Sequence, residues 1–125
     1  MTENLTPLID IKKLTVEYVS HSGFMGREKK VVRVLNELDL QVETGETLGI
    51  VGESGCGKST LANSILRLLK PTGGEVIYRD TDILKLDKNG RRRLRRHMQL
   101  VFQNPHASLN PRMTILNLVA EPLQT

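Results

Sequence analysis

One run of residues, Gly52-Glu53-Ser54-Gly55-Cys56-Gly57-Lys58-Ser59-Thr60, constrains this 125-residue chain more than any other stretch. Glycines recur at 52, 55 and 57, and a lysine and two hydroxyl side chains follow at once. The segment before it, Thr47-Leu48-Gly49-Ile50-Val51, is short and apolar, the pattern of a buried central strand. Behind it, Leu61, Ile65, Leu68 and Leu69 recur at helical spacing until Lys70-Pro71-Thr72-Gly73-Gly74 halts the pattern. Strand, glycine-rich loop and helix in that order predict an α/β fold with the loop at the carboxyl end of a sheet strand.

The residue types explain what such a loop does. Gly52, Gly57, Lys58 and Ser59 satisfy the spacing G-x-x-x-x-G-K-[ST]. The β- and γ-phosphates of a nucleotide need several donors converging on a small volume. A backbone can wrap them only where side chains stay out of the way, hence the glycines. A helix that begins near Lys58 aims its unpaired N–H groups and the positive end of its dipole at the same place. Lys58 adds a cation for the β/γ oxygens, and the Ser59 hydroxyl is placed to ligate Mg²⁺. Cys56 sits inside the loop. A thiol at a helix N-terminus can be activated, and a small residue in a tight turn is the plainer reading.

The rest of the chain supplies a frame. Leu14, Val16 and Tyr18 alternate with Lys13, Thr15 and Glu17, predicting a half-buried strand across 8–18. His21 to Lys30 is polar, contains Gly23 and Gly26, and reads as an exposed loop. Leu38, Leu40 and Val42 form a second alternating run that ends at the turn Glu43-Thr44-Gly45-Glu46, and Glu75-Val76-Ile77-Tyr78 reads as a strand. Asn89 to His97 is expected to form a short basic helix capped by Asp87. Met98 to Phe102 is a further strand candidate, and Thr114 is placed to cap a last helix running to Val119 before Pro122. Gln103, just past the 98–102 run, stands where a side-chain amide at a strand's carboxyl end reaches a ligand.

Composition narrows the class. Hydrophobic residues make up 38% and charged residues 26%, the balance of an ordinary globular domain rather than a disordered tail. No apolar run nears the roughly 20 residues of a membrane-spanning helix, and Met1-Thr2-Glu3-Asn4 has no secretory-signal pattern. The single cysteine excludes an internal disulfide framework and fits a reducing compartment. The net charge of +4 is local: setting aside Arg91, Arg92, Arg93, Arg95 and Arg96 from the 18 basic residues leaves 13 against 14 acidic. Three readings of that cluster stand side by side: a solvated helix face, a grip on nucleic-acid phosphates, or contact with anionic lipid headgroups. With two Phe, two Tyr and no Trp, there is no aromatic interleaving for base stacking, and no nucleic-acid partner is expected.

At these residues the chain resembles a known family. Gly45 through Thr60 looks like the Walker A region of an ABC transporter ATP-binding subunit, and Val101-Phe102-Gln103-Asn104-Pro105 looks like its Q-loop. Ala107-Ser108-Leu109-Asn110-Pro111-Arg112-Met113-Thr114 is similar to the oligopeptide, dipeptide and nickel importer subfamily. The resemblance runs from about Leu8 to the last residue. It implies the N-terminal part of an ABC nucleotide-binding domain, an α/β P-loop fold with an antiparallel β portion. It implies ATP and Mg²⁺, with Tyr18 on the adenine and Gly52, Ser54, Gly55, Cys56, Gly57, Lys58, Ser59 and Thr60 around the phosphates. Ser59 and Gln103 would meet the metal. It also implies permease subunits that dock near residues 104–113, a second ATP-binding subunit, and a peripheral place on the cytoplasmic face of the membrane.

The chain departs from that family in what it lacks. It has no Leu-Ser-Gly-Gly-Gln signature, no apolar strand ending in Asp-Glu, and no histidine at the switch position, since His21, His97 and His106 all precede or flank the Q-loop. Residues 1–125 therefore read as a partial ABC domain that binds nucleotide, with no catalytic residue assigned. Two alternatives stay open: a non-catalytic fragment acting by pairing with another subunit, and another P-loop NTPase such as a GTPase or small kinase.

Overall fold

The computed structural model describes residues 6–22, 28–104 and 109–124, with side chains of 20–22, 28, 29 and 122–124 outside that description. The chain divides into two units, Met1–Leu86 and Asp87–Thr125.

The first unit is built on a four-stranded antiparallel sheet. Its strands are β1 (Ile9–Ser22), β2 (Glu28–Val42), β3 (Gly73–Tyr78) and β4 (Thr81–Asp82), in the spatial order β2-β1-β3-β4. β1 pairs with β2 in a register that puts Leu14 opposite Leu38, Val16 opposite Leu35 and Tyr18 opposite Val32. On its other edge β1 pairs with β3, Ile11 facing Val76. Of the alternating positions read from the sequence, Leu14 and Val16 are buried, whereas Leu38, Leu40 and Val42 are only half-buried. The core is completed by Ile11, Leu35, Val76 and Ile83, joined by Leu61 from the helix.

Ile11 and Leu14 are three apart, which strict alternation forbids, and a bulge reconciles them. The pairing shifts between Ile11 and Leu14, where Lys13 takes a left-handed φ of 48°, and Glu37 on β2 takes 47°. Side chains satisfy the displaced backbone. The Lys13 N–H donates to Asp39 Oδ1 at 2.8 Å, and the Glu37 N–H donates to Thr15 Oγ1 at 3.2 Å. The Thr15 carbonyl in turn accepts from the N–H (2.9 Å) and the hydroxyl (3.0 Å) of Thr72.

Helix α1 spans Lys58–Ile65. It is shorter than the apolar spacing suggested, because Arg67 turns left-handed at φ 54°. Its guanidinium then donates to the carbonyls of Ile83 (2.7 Å) and Leu86 (3.1 Å), tying the helix end to the 3₁₀ turn Ile83–Lys85. That leaves Leu68 exposed, while Ile65 and Leu69 are half-buried.

Three expectations are corrected in the first unit. The segment 47–51 forms no strand; Val51 is 93% exposed, and none of the described strands pairs with it. A central strand draws its hydrogen bonds from neighbours on both sides, so apolar composition alone cannot form one. His21 to Lys30 is not all loop, since β1 reaches Ser22 and β2 begins at Glu28, with His21 opposite Lys29; residues 23–27 lie outside the described residues. Tyr18 does not share the burial of Leu14 and Val16. Further register shifts precede it, the last between Val16 and Glu17, and it is 44% exposed.

The second unit holds α2 (Lys88–Leu94) and α3 (Ile115–Gln124). Asp87 caps α2 as its sequence position predicts, accepting from the Gly90 N–H at 2.7 Å. Thr114 caps α3, its hydroxyl accepting from the Asn117 N–H at 3.3 Å. α3 runs past Pro122 to Gln124, beyond the expected end. A proline has no backbone N–H, so at position 122 one helical hydrogen bond is missing, close to the helix terminus. Residues 98–102 form no strand, and Val101 is 89% exposed.

Candidate functional site

The glycine-rich run forms a loop between residue 51 and α1, and its conformation requires glycine. Gly55 and Gly57 take φ of 81° and 103°, which side chains disfavour. A Cβ on Gly57 would stand 3.0 Å from Leu35 Cδ2 and 3.3 Å from the Val34 carbonyl oxygen. The end of the loop is thus seated directly on β2. A Cβ on Gly52 would stand 2.7 Å from the Cys56 sulfur, inside the loop itself. Within the loop the Cys56 N–H donates to the Glu53 carbonyl at 3.3 Å.

The charged group is at the centre of the cradle. Lys58 Nζ folds back and donates to the carbonyls of Gly52 (2.7 Å) and Glu53 (2.6 Å), with Cys56 Sγ at 3.5 Å. An ammonium has three donors and no acceptor, so it is held by weak neutral acceptors that an anionic oxygen would outcompete. α1 begins beneath it. Its N-cap is Gly57, which has no side chain to satisfy the first-turn N–H groups, and there is no acidic residue in the first turn. Ser59 lies exposed in that first turn, and Thr60 is half-buried beside it. Cys56 is a free, exposed thiol.

These features fit a phosphate chain: a left-handed backbone path without side chains, a helix N-terminus without its own cap, and a lysine ammonium aimed into the turn. The structure therefore brings Gly52, Ser54, Gly55, Cys56, Gly57, Lys58, Ser59 and Thr60 together as one element. Tyr18 lies elsewhere in the same unit, opposite Val32 on the β1–β2 ribbon, with its ring accessible rather than in the core. Gln103 is exposed at a bend of the second unit. Of the docking segment read at 104–113, residues 105–108 lie outside the described residues. The sequence reading did not find Val34 and Leu35, which back the loop. The signal was there in Val31-Val32-Arg33-Val34-Leu35, a β-rich run extending the strand ahead of Leu38.

A glycine-rich loop that leads into a helix and rests on β2 has the form of a phosphate-binding loop. The ABC transporter family model matches residues 35–121, and the chain belongs to that family. It is 41% identical to the oligopeptide transport ATP-binding protein OppF of Escherichia coli over 127 residues, 100% of this chain and 38% of that protein. It is also 41% identical to the oligopeptide transport ATP-binding protein AppF of Bacillus subtilis over 124 residues, 98% of this chain and 37% of that protein. Among solved structures, the dimeric ABC transporter cassette MJ0796 aligns with a TM-score of 0.73 at 36% identity, covering 93% of this chain and 47% of the cassette. A post-hydrolysis dimer of the same cassette bound to ADP and Pi aligns at 0.72 and 35% identity. The chain thus spans well under half the length of those curated relatives and about half of the cassette. Its fold is the N-terminal part of an ABC nucleotide-binding domain, including the antiparallel β portion.

Proposed function

We propose that the chain binds MgATP at Gly52–Thr60 as the nucleotide-binding portion of the motor subunit of an ABC importer for peptides. The observation that carries this is Lys58, whose ammonium closes on the carbonyls of Gly52 and Glu53 above the uncapped start of α1. The γ-phosphate would take over those contacts, with the Ser59 hydroxyl meeting Mg²⁺. The relatives named for oligopeptide transport support peptide as the solute class.

In this reading Tyr18 stacks on adenine, supported by its exposed ring, and Gln103 contributes the second protein contact to Mg²⁺. The bound metal would neutralise charge on the phosphate oxygens. The partners are transmembrane permease subunits and a second ATP-binding subunit, and the place is the cytoplasmic face of the membrane. The dimeric state named for the cassette supports pairing. No helix among the described residues is long and apolar enough to cross a membrane, so the bilayer would be spanned by the permeases. Hydrolysis needs a base beside the γ-phosphate, and these residues supply none we can name, so turnover belongs to the complete subunit.

Nucleotide selectivity tests the proposal. Calorimetric titration with MgATP and MgGTP is expected to show tighter binding of ATP. A clear preference for guanine would overturn the transporter reading in favour of a GTPase, and binding of neither would remove the function altogether.

A further inference from the structure

The charge of this protein divides along its two units. Residues 87–125 hold seven basic side chains against Asp87 and Glu121, which leaves 11 basic against 12 acidic for residues 1–86. Between Lys88 and Ala120 no acidic residue occurs. The one carboxylate on the basic element, Asp87, is engaged with the Gly90 N–H at the start of α2.

The arginines are also ordered. α2 continues past Leu94 as a turn, with the N–H groups of Arg95 and Arg96 donating to the carbonyls of Arg91 and Arg93. At 3.6 residues per turn, Arg91, Arg92, Arg93, Arg95 and Arg96 spread over one side. The opposite side carries Gly90, buried, and Leu94, half-buried. All five arginines are exposed, and among the described residues Arg91, Arg93, Arg95 and Arg96 enter no ion pair. A dense cationic side backed by an apolar anchor suits a dense anionic lattice. The scarcity of aromatic residues disfavours single-stranded nucleic acid, whose bases such a face would stack against, and duplex DNA is the competing anion.

The geometry points to α2 and the turn after it as an electrostatic seat for an anionic lipid surface. The choice of lipid rests on the reading that the subunit works against a membrane. Clusters of four to eight basic residues bind such surfaces through about fivefold in affinity per charge, weakened by salt.

The 125-residue chain is sedimented with vesicles of phosphatidylcholine alone and of phosphatidylcholine mixed with phosphatidylglycerol. It is expected to bind only the anionic vesicles and to leave them at raised salt. The exposed triple substitution R91Q/R95Q/R96Q should weaken binding roughly a hundredfold, while R91K/R95K/R96K should retain it, since charge rather than shape is recognised. Absence of binding to anionic vesicles, equal binding to neutral ones, an unaffected glutamine variant, or displacement from vesicles by duplex DNA would each overturn the proposal. A MgATP titration of the same samples separates this from the nucleotide site, which the triple variant leaves intact.

Discussion

Gly57 and Leu35 meet where the glycine-rich loop rests on the sheet: a Cβ on Gly57 would stand 3.0 Å from Leu35 Cδ2. This contact couples function to fold, because Gly57 is also the N-cap of α1 and the last residue before Lys58. Replacing it adds a clash on β2 to the strain of a φ of 103°. Gly57→Ala is expected to lower stability by about 1–3 kcal/mol, seen as a lower urea midpoint, and to weaken MgATP binding. An unchanged midpoint would mean that the loop is not seated on β2.

The interior of the loop offers a sharper test. The space a Cβ on Gly52 would need is held by the Cys56 sulfur at 2.7 Å. Gly52→Ala should therefore weaken nucleotide binding in the native background and much less with Cys56→Ala. A double-mutant cycle is expected to give a coupling of roughly 0.5–3 kcal/mol. Purely additive effects would show that the two residues do not share that volume.

The bulge is open to a similar argument. Asp39 accepts from the Lys13 N–H at 2.8 Å, where the left-handed Lys13 leaves the ladder. The site is exposed, so water replaces the carboxylate in part, and Asp39→Ala should cost only about 0.5–1.5 kcal/mol. Lys13→Gly removes the side-chain penalty of the left-handed region and should raise the urea midpoint, whereas Lys13→Val should lower it.

These cases show which parts of the molecule were legible in the sequence. The glycine-rich loop and the start of α1 were legible because their causes are local: Gly55 and Gly57 permit the left-handed path, and the residues from Lys58 onward start a helix. The caps Asp87 and Thr114 were legible for the same reason, each bonding a backbone N–H three residues on. The runs 47–51 and 98–102 were misread because a strand depends on partners elsewhere in space, and apolar composition does not say whether those are present. Within the polar stretch read as a loop, residues 21–22 and 28–30 pair as strand ends through backbone bonds, which composition does not report. The burial of both Ile11 and Leu14 required a bulge that only the strand pairing reveals, as register shifts of β1 against both β2 and β3.

The central claim is that Lys58 holds a nucleotide's phosphates. Among the described residues its ammonium bonds to the loop around it, at Gly52, Glu53 and Cys56, so removing it should leave the fold in place. The most direct measurement is a calorimetric titration of MgATP into the native chain and into Lys58→Ala, with circular dichroism of both. The account predicts matching spectra and an affinity lowered by about 10- to 150-fold, the worth of a charge-assisted phosphate contact. Equal affinity in the two proteins, with matching spectra, would contradict it.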